Sequence, residues 1–207
     1  YKNMVGVFNQ PELVICDLAL LKTLPVREIL CGFAEIIKHG AIADAQMLDV
    51  LETQKDAALS LNADIIADLV CRSVEIKAGV VARDEREQGE RRTLNFGHTF
   101  AHALEKLTDM PHGEAVGIGM VVAANLSVEK GLLPRNEADR LERIIHRYGL
   151  PVKPPVAAAS LLAALRKDKK REGRRIHFVF LDALGHARVE EIELSDLNDL
   201  VRAAGMG

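Results

Sequence analysis

The stretch from His112 to Leu132 constrains this chain more than any other, because it is apolar almost all the way round a helical wheel. A helix without a polar face must be enclosed by other elements. Its apolar run, Ala115 to Leu126, falls short of the roughly 18 residues that cross a membrane, and it carries Gly117 and Gly119, small enough to let other backbones come close. The chain is therefore expected to wrap a core around a central buried helix.

The remaining sequence supplies that wrapping. Of 207 residues, 48% are hydrophobic but only 4% aromatic, and Trp is absent, so Leu, Ile, Val and Ala must fill the interior, which suits packed helices. The net charge of −3 gives no reason to expect nucleic acid or a membrane surface as partner. Cys16, Cys31 and Cys71 are odd in number and lack CxxC spacing, which favours reduced, buried thiols. With no signal-peptide pattern, the expectation is a cytoplasmic protein. Because the chain starts at Tyr1 with no leading element, it is expected to be a domain of something longer.

Element signals are read in order. Glu12 to Cys16 (ELVIC) is a strand candidate. Pro25 marks a helix start, and that helix is expected to run to about His39 and end at Gly40. Ala43 to Ser60 suits one exposed amphipathic helix. Asn62 can cap another, with Ile65, Ile66, Leu69, Val70, Val74 and Val81 at helical spacing, running through Lys77 to about Glu87. Gln88-Gly89-Glu90 breaks the pattern. Asn136 to Tyr148 is a helix stopped by Gly149 and Pro151, and Val156 to Leu165 a short one. Ile176 to Leu181 and Ala187 to Val189 suit a β-hairpin around Gly185, and Ser195 can cap a closing helix to about Ala203. The fold class is mainly α with a few short strands.

Chemistry concentrates just before the central helix. Asn95, His98 and His102 are three and four residues apart, so one helix would carry all three on one face, with Phe96, Phe100, Ala103, Leu104 and Leu107 inward. A face of imidazole and amide suits the wall of a site. A catalytic zinc takes three His, Glu, Asp or Cys ligands and keeps one open position, and His98, His102, His112, Glu35 and Glu114 are the available donors. His98 and His102 could pair on one ion, although Thr-Phe-Ala between them lacks the general base of an HExxH motif. No His-Asp dipeptide occurs, which weakens a metal-phosphohydrolase reading. Glu35 and Lys38, three apart, suit a surface ion pair on spacing alone, and Arg166 to Arg175 suits a solvated basic loop from which one Lys could turn toward a phosphate. Lys77, Asp84, Glu87 and Arg91 fall broadly on one helical side, the pattern of surface pairs. The residues alone support a helical domain with a metal or anion site.

Five motifs in order closely resemble the C-terminal, metal- and substrate-binding domain of the 3-dehydroquinate synthase family. They are Lys2-Asn3-Met4 with Gln10-Pro11 and Leu21-Lys22-Thr23-Leu24-Pro25; Gly32-Phe33-Ala34-Glu35-Ile36-Ile37-Lys38-His39-Gly40; Leu94 to Glu105 (LNFGHTFAHALE); His112-Gly113-Glu114-Ala115-Val116; and Asp168-Lys169-Lys170 with Gly173. The likeness covers nearly the whole chain. It implies one mostly helical domain over 1–207, with 1–24 as a junction to an N-terminal Rossmann-like α/β domain that binds NAD.

The resemblance implies residue roles. Glu35, His98 and His112 would hold zinc or cobalt, with His102 and Lys38 as catalytic groups. Lys77, Arg91 and Asn95 would hold the substrate's carboxylate end and hydroxyls, and Asn3, Lys38, His102 and one or both of Lys169 and Lys170 its phosphate. Lys2, Leu21, Lys22 and Thr23 would touch NAD. The implied reaction converts 3-deoxy-D-arabino-heptulosonate 7-phosphate to 3-dehydroquinate and phosphate, in a cytoplasmic homodimer. It begins with oxidation of the C5 alcohol by NAD, continues through phosphate loss and hydride return, and closes the ring by an intramolecular aldol.

The chain departs from the family pattern at Ala101, where glycine is usual, and in a shorter segment from Glu105 to His112. It also lacks a Gly-rich dinucleotide-binding unit, so the piece alone is expected to be inactive. Other sugar-phosphate cyclases share the metal site, but Lys77 and Arg91, as two buried cations, would call for a carboxylate. A polyol dehydrogenase and a non-catalytic helical interaction module are the remaining alternatives.

Overall fold

The computed structural model describes residues 11–169 and 175–203. After a 3-10 turn at Leu18–Thr23 come α1 (Val26–Ala43), α2 (Ala45–Thr53), α3 (Lys55–Leu59) and α4 (Ala63–Arg83). A second 3-10 turn (Glu90–Asn95) leads into α5 (His98–Thr108), α6 (His112–Glu129), α7 (Arg135–Arg147) and α8 (Ala158–Lys169). Strands β1 (Arg175–Ala183) and β2 (His186–Glu193) then form an antiparallel pair before α9 (Leu194–Ala203).

Local sequence chemistry sets the helix starts. α1, α6 and α7 each begin directly after a proline (Pro25, Pro111, Pro134) with φ between −56° and −61°, the value the ring fixes in advance. Asn62 starts α4 by accepting from the backbone N–H groups of Asp64 and Ile65.

α6 is the central element, as its pattern requires. It packs against α5, α1, α7 and β1, and from Ala115 to Ala124 every residue is buried. Its glycines set how close the neighbours come. A Cβ on Gly119 would lie 2.1 Å from the Gly97 carbonyl oxygen, and one on Gly113 would lie 2.3 Å from the Cys31 Cα. Both contacts are with backbone, so neither could be relieved by a rotamer change. Ser127, buried on α6, donates to the Ala123 carbonyl and accepts from the Leu181 N–H, fixing β1 against the helix. Phe178 and Phe180 are buried on β1, and Tyr148 donates from its buried hydroxyl to the Leu51 carbonyl.

The structure corrects several boundaries. Glu12 to Cys16 forms no strand: among the described residues no second strand pairs with it, and Leu13, Val14 and Ile15 are exposed. Gly40 does not end α1, because it keeps helical geometry and faces the Leu48 side chain, and the helix continues to Ala43. The segment 43–60 splits at Asp44 and Gln54 into α2 and α3, and buries Met47, Leu48 and Leu51 instead of lying exposed. α8 reaches Lys169, beyond the boundary suggested by its apolar spacing. Cys16 and Cys71 are exposed and Cys31 is half-buried, so the thiols are not core residues. No described helix is long and apolar enough to cross a membrane.

Candidate metal centre and substrate cavity

Three helices meet at one corner. Glu35 lies in the middle of α1, His98 opens α5 and His112 opens α6. The His98 Nε2 is 3.9 Å and the His112 Nε2 3.8 Å from the same Glu35 Oε1, and one ligand atom from each residue falls within 4.8 Å of the others.

The other nitrogen of each ring is already engaged. The His98 Nδ1 lies 3.2 Å from the Phe96 carbonyl oxygen, and the His112 Nδ1 3.1 Å from Glu105 Oε1. Those acceptors favour an N–H at Nδ1, which leaves both Nε2 lone pairs directed at the corner, the outer-shell arrangement of metal-ligating histidines. Burial, reinforced by Lys38, pushes the His98 ring down to about 4, so it is neutral at pH 7 as a ligand must be. Glu35 Oε1 is buried and, among the described residues, has no hydrogen-bond partner. A buried carboxylate oxygen left unpaired is costly, and two imidazoles and a carboxylate directed at one point fit a divalent cation with an open position.

Lys38 completes this corner from one turn along α1. Its side chain is only 4% exposed, and its Nζ donates to Glu35 Oε2 at 2.6 Å. Burial alone would raise the Glu35 carboxyl, but the charge and hydrogen bond of Lys38 outweigh it and hold it low. Burial in turn lowers the Lys38 ammonium against the opposing pull of Glu35. The pair lies inward, contrary to the surface ion pair that its spacing suggests, because α1 is packed against α4, the second 3-10 turn and α6.

A cavity of about 290 Å³ opens from the corner, lined by Glu35, Lys38, His39, Lys77, Glu87, Arg91, Leu94, Asn95, His98 and His112. It brings together seven of the fifteen site residues named from the sequence: Glu35, Lys38, Lys77, Arg91, Asn95, His98 and His112. Asn95 joins it by a different route from the expected one. It ends the 3-10 turn, and Gly97, at φ +79°, breaks the chain before α5 begins, so Asn95, His98 and His102 do not share one helix. His102 is exposed one turn further on, its ring 5.6 Å from that of His98. Lys77 is exposed and Arg91 half-buried, so they are not the two buried cations expected.

α4 ends at Arg83, and the segment after it folds around one carboxylate. Asp84 accepts from the N–H groups of Gln88, Gly89 and Arg91, which draw its acid below the ordinary range. This turn, not one helical face, brings Glu87 and Arg91 to the cavity that Lys77 lines from α4. Leu21 lies on the first 3-10 turn beside a separate apolar groove that shares Glu35 with the cavity, and Lys22 and Thr23 on that turn are exposed. Lys169 closes α8. Lys2, Asn3 and Lys170 lie outside the described residues.

Spacing gave three contributors no role in the site. Glu105 closes the LNFGHTFAHALE motif, seven residues after His98 and seven before His112, and by itself reads as a surface acid. His39 follows Lys38 and gives no signal of its own. Glu87 has φ +57°, uncommon for a residue with a side chain, and its carboxylate accepts from Asn95 Nδ2 at 2.5 Å.

A helical domain with a three-ligand metal corner beside a cationic cavity is a recognisable class, and the comparisons with known proteins narrow it. Residues 32–171 match the family model for the 3-dehydroquinate synthase C-terminal domain, and residues 1–31 match the model for the N-terminal domain of the same enzymes. The chain belongs to the 3-dehydroquinate synthase family.

A 3-dehydroquinate synthase from Caulobacter vibrioides (strain NA1000 / CB15N) is 44% identical over 198 residues, which are 91% of this chain and 54% of that protein. The chain thus spans about half the length of this curated relative. Among solved structures, 2-epi-5-epi-valiolone synthase from Streptomyces hygroscopicus subsp. jinggangensis 5008, with NAD+ and Zn2+ bound, matches with a TM-score of 0.84 at 26% identity, over 99% of this chain and 58% of that one. A 2-deoxy-scyllo-inosose synthase complexed with carbaglucose-6-phosphate, NAD+ and Co2+ matches with a TM-score of 0.78 at 22% identity, over 98% and 59%, and shares the fold.

Proposed function

We propose that this chain forms the metal- and substrate-binding half of a 3-dehydroquinate synthase, a phosphate-eliminating carbon–oxygen lyase acting on 3-deoxy-D-arabino-heptulosonate 7-phosphate. The observation that carries the reading is the convergence of Glu35 Oε1 with the Nε2 atoms of His98 and His112 at the edge of a cavity lined by Lys38, Lys77 and Arg91. The relatives' bound NAD+ and Zn2+ or Co2+ support the same cofactors here. When bound, the divalent ion supplies Lewis-acid polarisation of a substrate oxygen, and NAD on a neighbouring N-terminal domain takes up and returns a hydride.

The chain's own residues then bind and orient. Glu35, His98 and His112 hold the ion, and Lys2, Leu21, Lys22 and Thr23 contribute to the NAD side. Lys77 and Arg91 hold the carboxylate end and Asn95 a hydroxyl, while Glu87 fixes the Asn95 amide. Lys38, Asn3, His102 and Lys169 or Lys170 surround the phosphate, where the His102 ring can hydrogen-bond the departing oxygen. Cations at both ends restrict the acyclic substrate to folded conformers, so much of the orientation is set on binding. The 207 residues act as one domain of a cytoplasmic homodimer.

Phosphate release by the full-length protein with NAD and zinc tests the reading. The expected result is rapid release from the heptulosonate phosphate and none from a sugar phosphate that lacks the carboxylate. Preference for the uncarboxylated sugar would assign a different cyclase, and NAD reduction without phosphate release a polyol dehydrogenase.

A further inference from the structure

Two walls of the cavity carry cations on different helices, and a half-buried hydrogen bond helps to tie them. His39, next to Lys38 on α1, is 5% exposed and its Nδ1 lies 2.6 Å from the Ser73 Oγ on α4. Ser73 in turn stands four residues before Lys77, on the same face of α4.

This tie falls where α4 has least else to hold it. The buried side chains of α4 are Ile66, Leu69 and Val80, so none of its residues between Leu69 and Val80 is buried. Ser73 and Lys77 both lie in that span. Outside the cavity, Arg72 bonds Asp44 just beyond the end of α1 at 2.9 Å, an ion pair one quarter exposed to solvent on its arginine side. The His39–Ser73 bond is the inner of the two ties, and His39 itself lines the cavity. Burial, with Lys38 next and Lys77 adding to it, keeps the His39 ring neutral, down to about 4, against the opposing pull of Glu35. The ring therefore enters the site as a hydrogen-bonding spacer and not as a third cation.

On the reading of the cavity proposed above, we infer that the His39–Ser73 pair is a positioning element that fixes the span between Lys38 and Lys77, and so the fit of a substrate anionic at both ends. Neither residue is catalytic. Loosening the span weakens ground state and transition state together, which raises KM and leaves kcat nearly unchanged.

The test uses the full-length protein loaded with zinc. Ser73→Ala is expected to raise KM for the heptulosonate phosphate about three- to tenfold, the range for one lost hydrogen bond, with kcat within about twofold and zinc content unchanged. Ser73→Thr, which keeps the hydroxyl, restores KM. His39→Phe, which keeps the ring volume, raises KM like Ser73→Ala, and the double variant is no worse than either single one, because the two share one interaction. A wild-type KM in Ser73→Ala would overturn the inference, as would a loss confined to zinc content or melting temperature, since that is what simple helix docking predicts. Wild-type turnover separately tests the reading of the cavity. Should it be absent, the dissociation constant for 3-phosphoglycerate, which also carries a carboxylate and a phosphate, takes the place of KM: a three- to tenfold loss in Ser73→Ala supports the bracket and an equal constant overturns it.

Discussion

The metal corner and the cationic wall face the same cavity but are built in opposite ways. The corner is set by backbone. Gly119 lies against Gly97 and Gly113 against Cys31 with no room for a Cβ, and these contacts fix the starts of α5 and α6, where His98 and His112 sit. The wall is set by side chains on the rim of α4 and by the turn around Asp84, with Lys77 exposed and Arg91 half-buried. An ion tolerates displacement of its ligands by only about 0.2 Å, whereas long cationic side chains can follow a flexible substrate. On the proposed reading, rigid parts would hold the ion and adaptable parts what comes and goes.

Breaking the corner should cost most. Glu35→Ala in the full-length protein is expected to weaken zinc binding by more than about 100-fold, beyond the loss of any outer partner, and to abolish phosphate release; zinc titration and a coupled phosphate assay check both. Gly113→Ala attacks the same corner through backbone alone. Its Cβ would meet the Cys31 Cα, and the expected destabilisation is about 3 kcal/mol, read by denaturant unfolding, with weaker zinc binding. Wild-type stability in this variant would show that the backbone contact does not set the corner. Glu105→Gln keeps the shape but weakens the partner of His112, and should reduce zinc affinity about 10- to 100-fold with little change in melting temperature.

The corner and the wall should also separate by pH and by kinetics. In the metal-free protein, His98 and His39 stay neutral down to about 4, whereas an unfolded His takes its proton near 6.5. Between these values the unfolded chain binds more protons, so stability falls as pH falls from about 6.5 to about 4, by about 1.4 kcal/mol per pH unit for each ring. Urea unfolding across that window measures the slope, and His39→Phe should remove one ring's share. A flat profile would show that the rings are not neutralised by folding. The smallest effect belongs to the wall: Lys77→Met should raise KM about three- to tenfold and leave zinc affinity unchanged. Loss of zinc in that variant would erase the distinction between the two regions.

Part of the corner could be read from residue types, because the two histidines, His98 and His112, open helices whose starts the sequence marks. Pro111 precedes His112, and Gly97 precedes His98. The all-apolar stretch after His112 likewise required the central helix that α6 proves to be. What spacing alone could not give was which distant residues meet. Glu35 is 63 positions from His98, and its pairing with Lys38 looks like a surface bridge until α4, the second 3-10 turn and α6 pack against α1. The assumption of one continuous helix also misled at Asn95, where the left-handed Gly97 separates the amide from the histidine face yet returns it to the cavity by another path. Glu12 to Cys16 shows the same limit: its composition suits a strand, but a strand exists only with a partner, and among the described residues it has none.

The central claim is that Glu35, His98 and His112 together hold one divalent ion. X-ray absorption at the zinc edge of the full-length, zinc-loaded protein tests it most directly. The account predicts two imidazole nitrogens with carboxylate or water oxygens completing four or five ligands at about 2.0–2.2 Å, and one imidazole fewer in His112→Ala. A sulfur ligand, or a wild-type spectrum unchanged by His112→Ala, would contradict it.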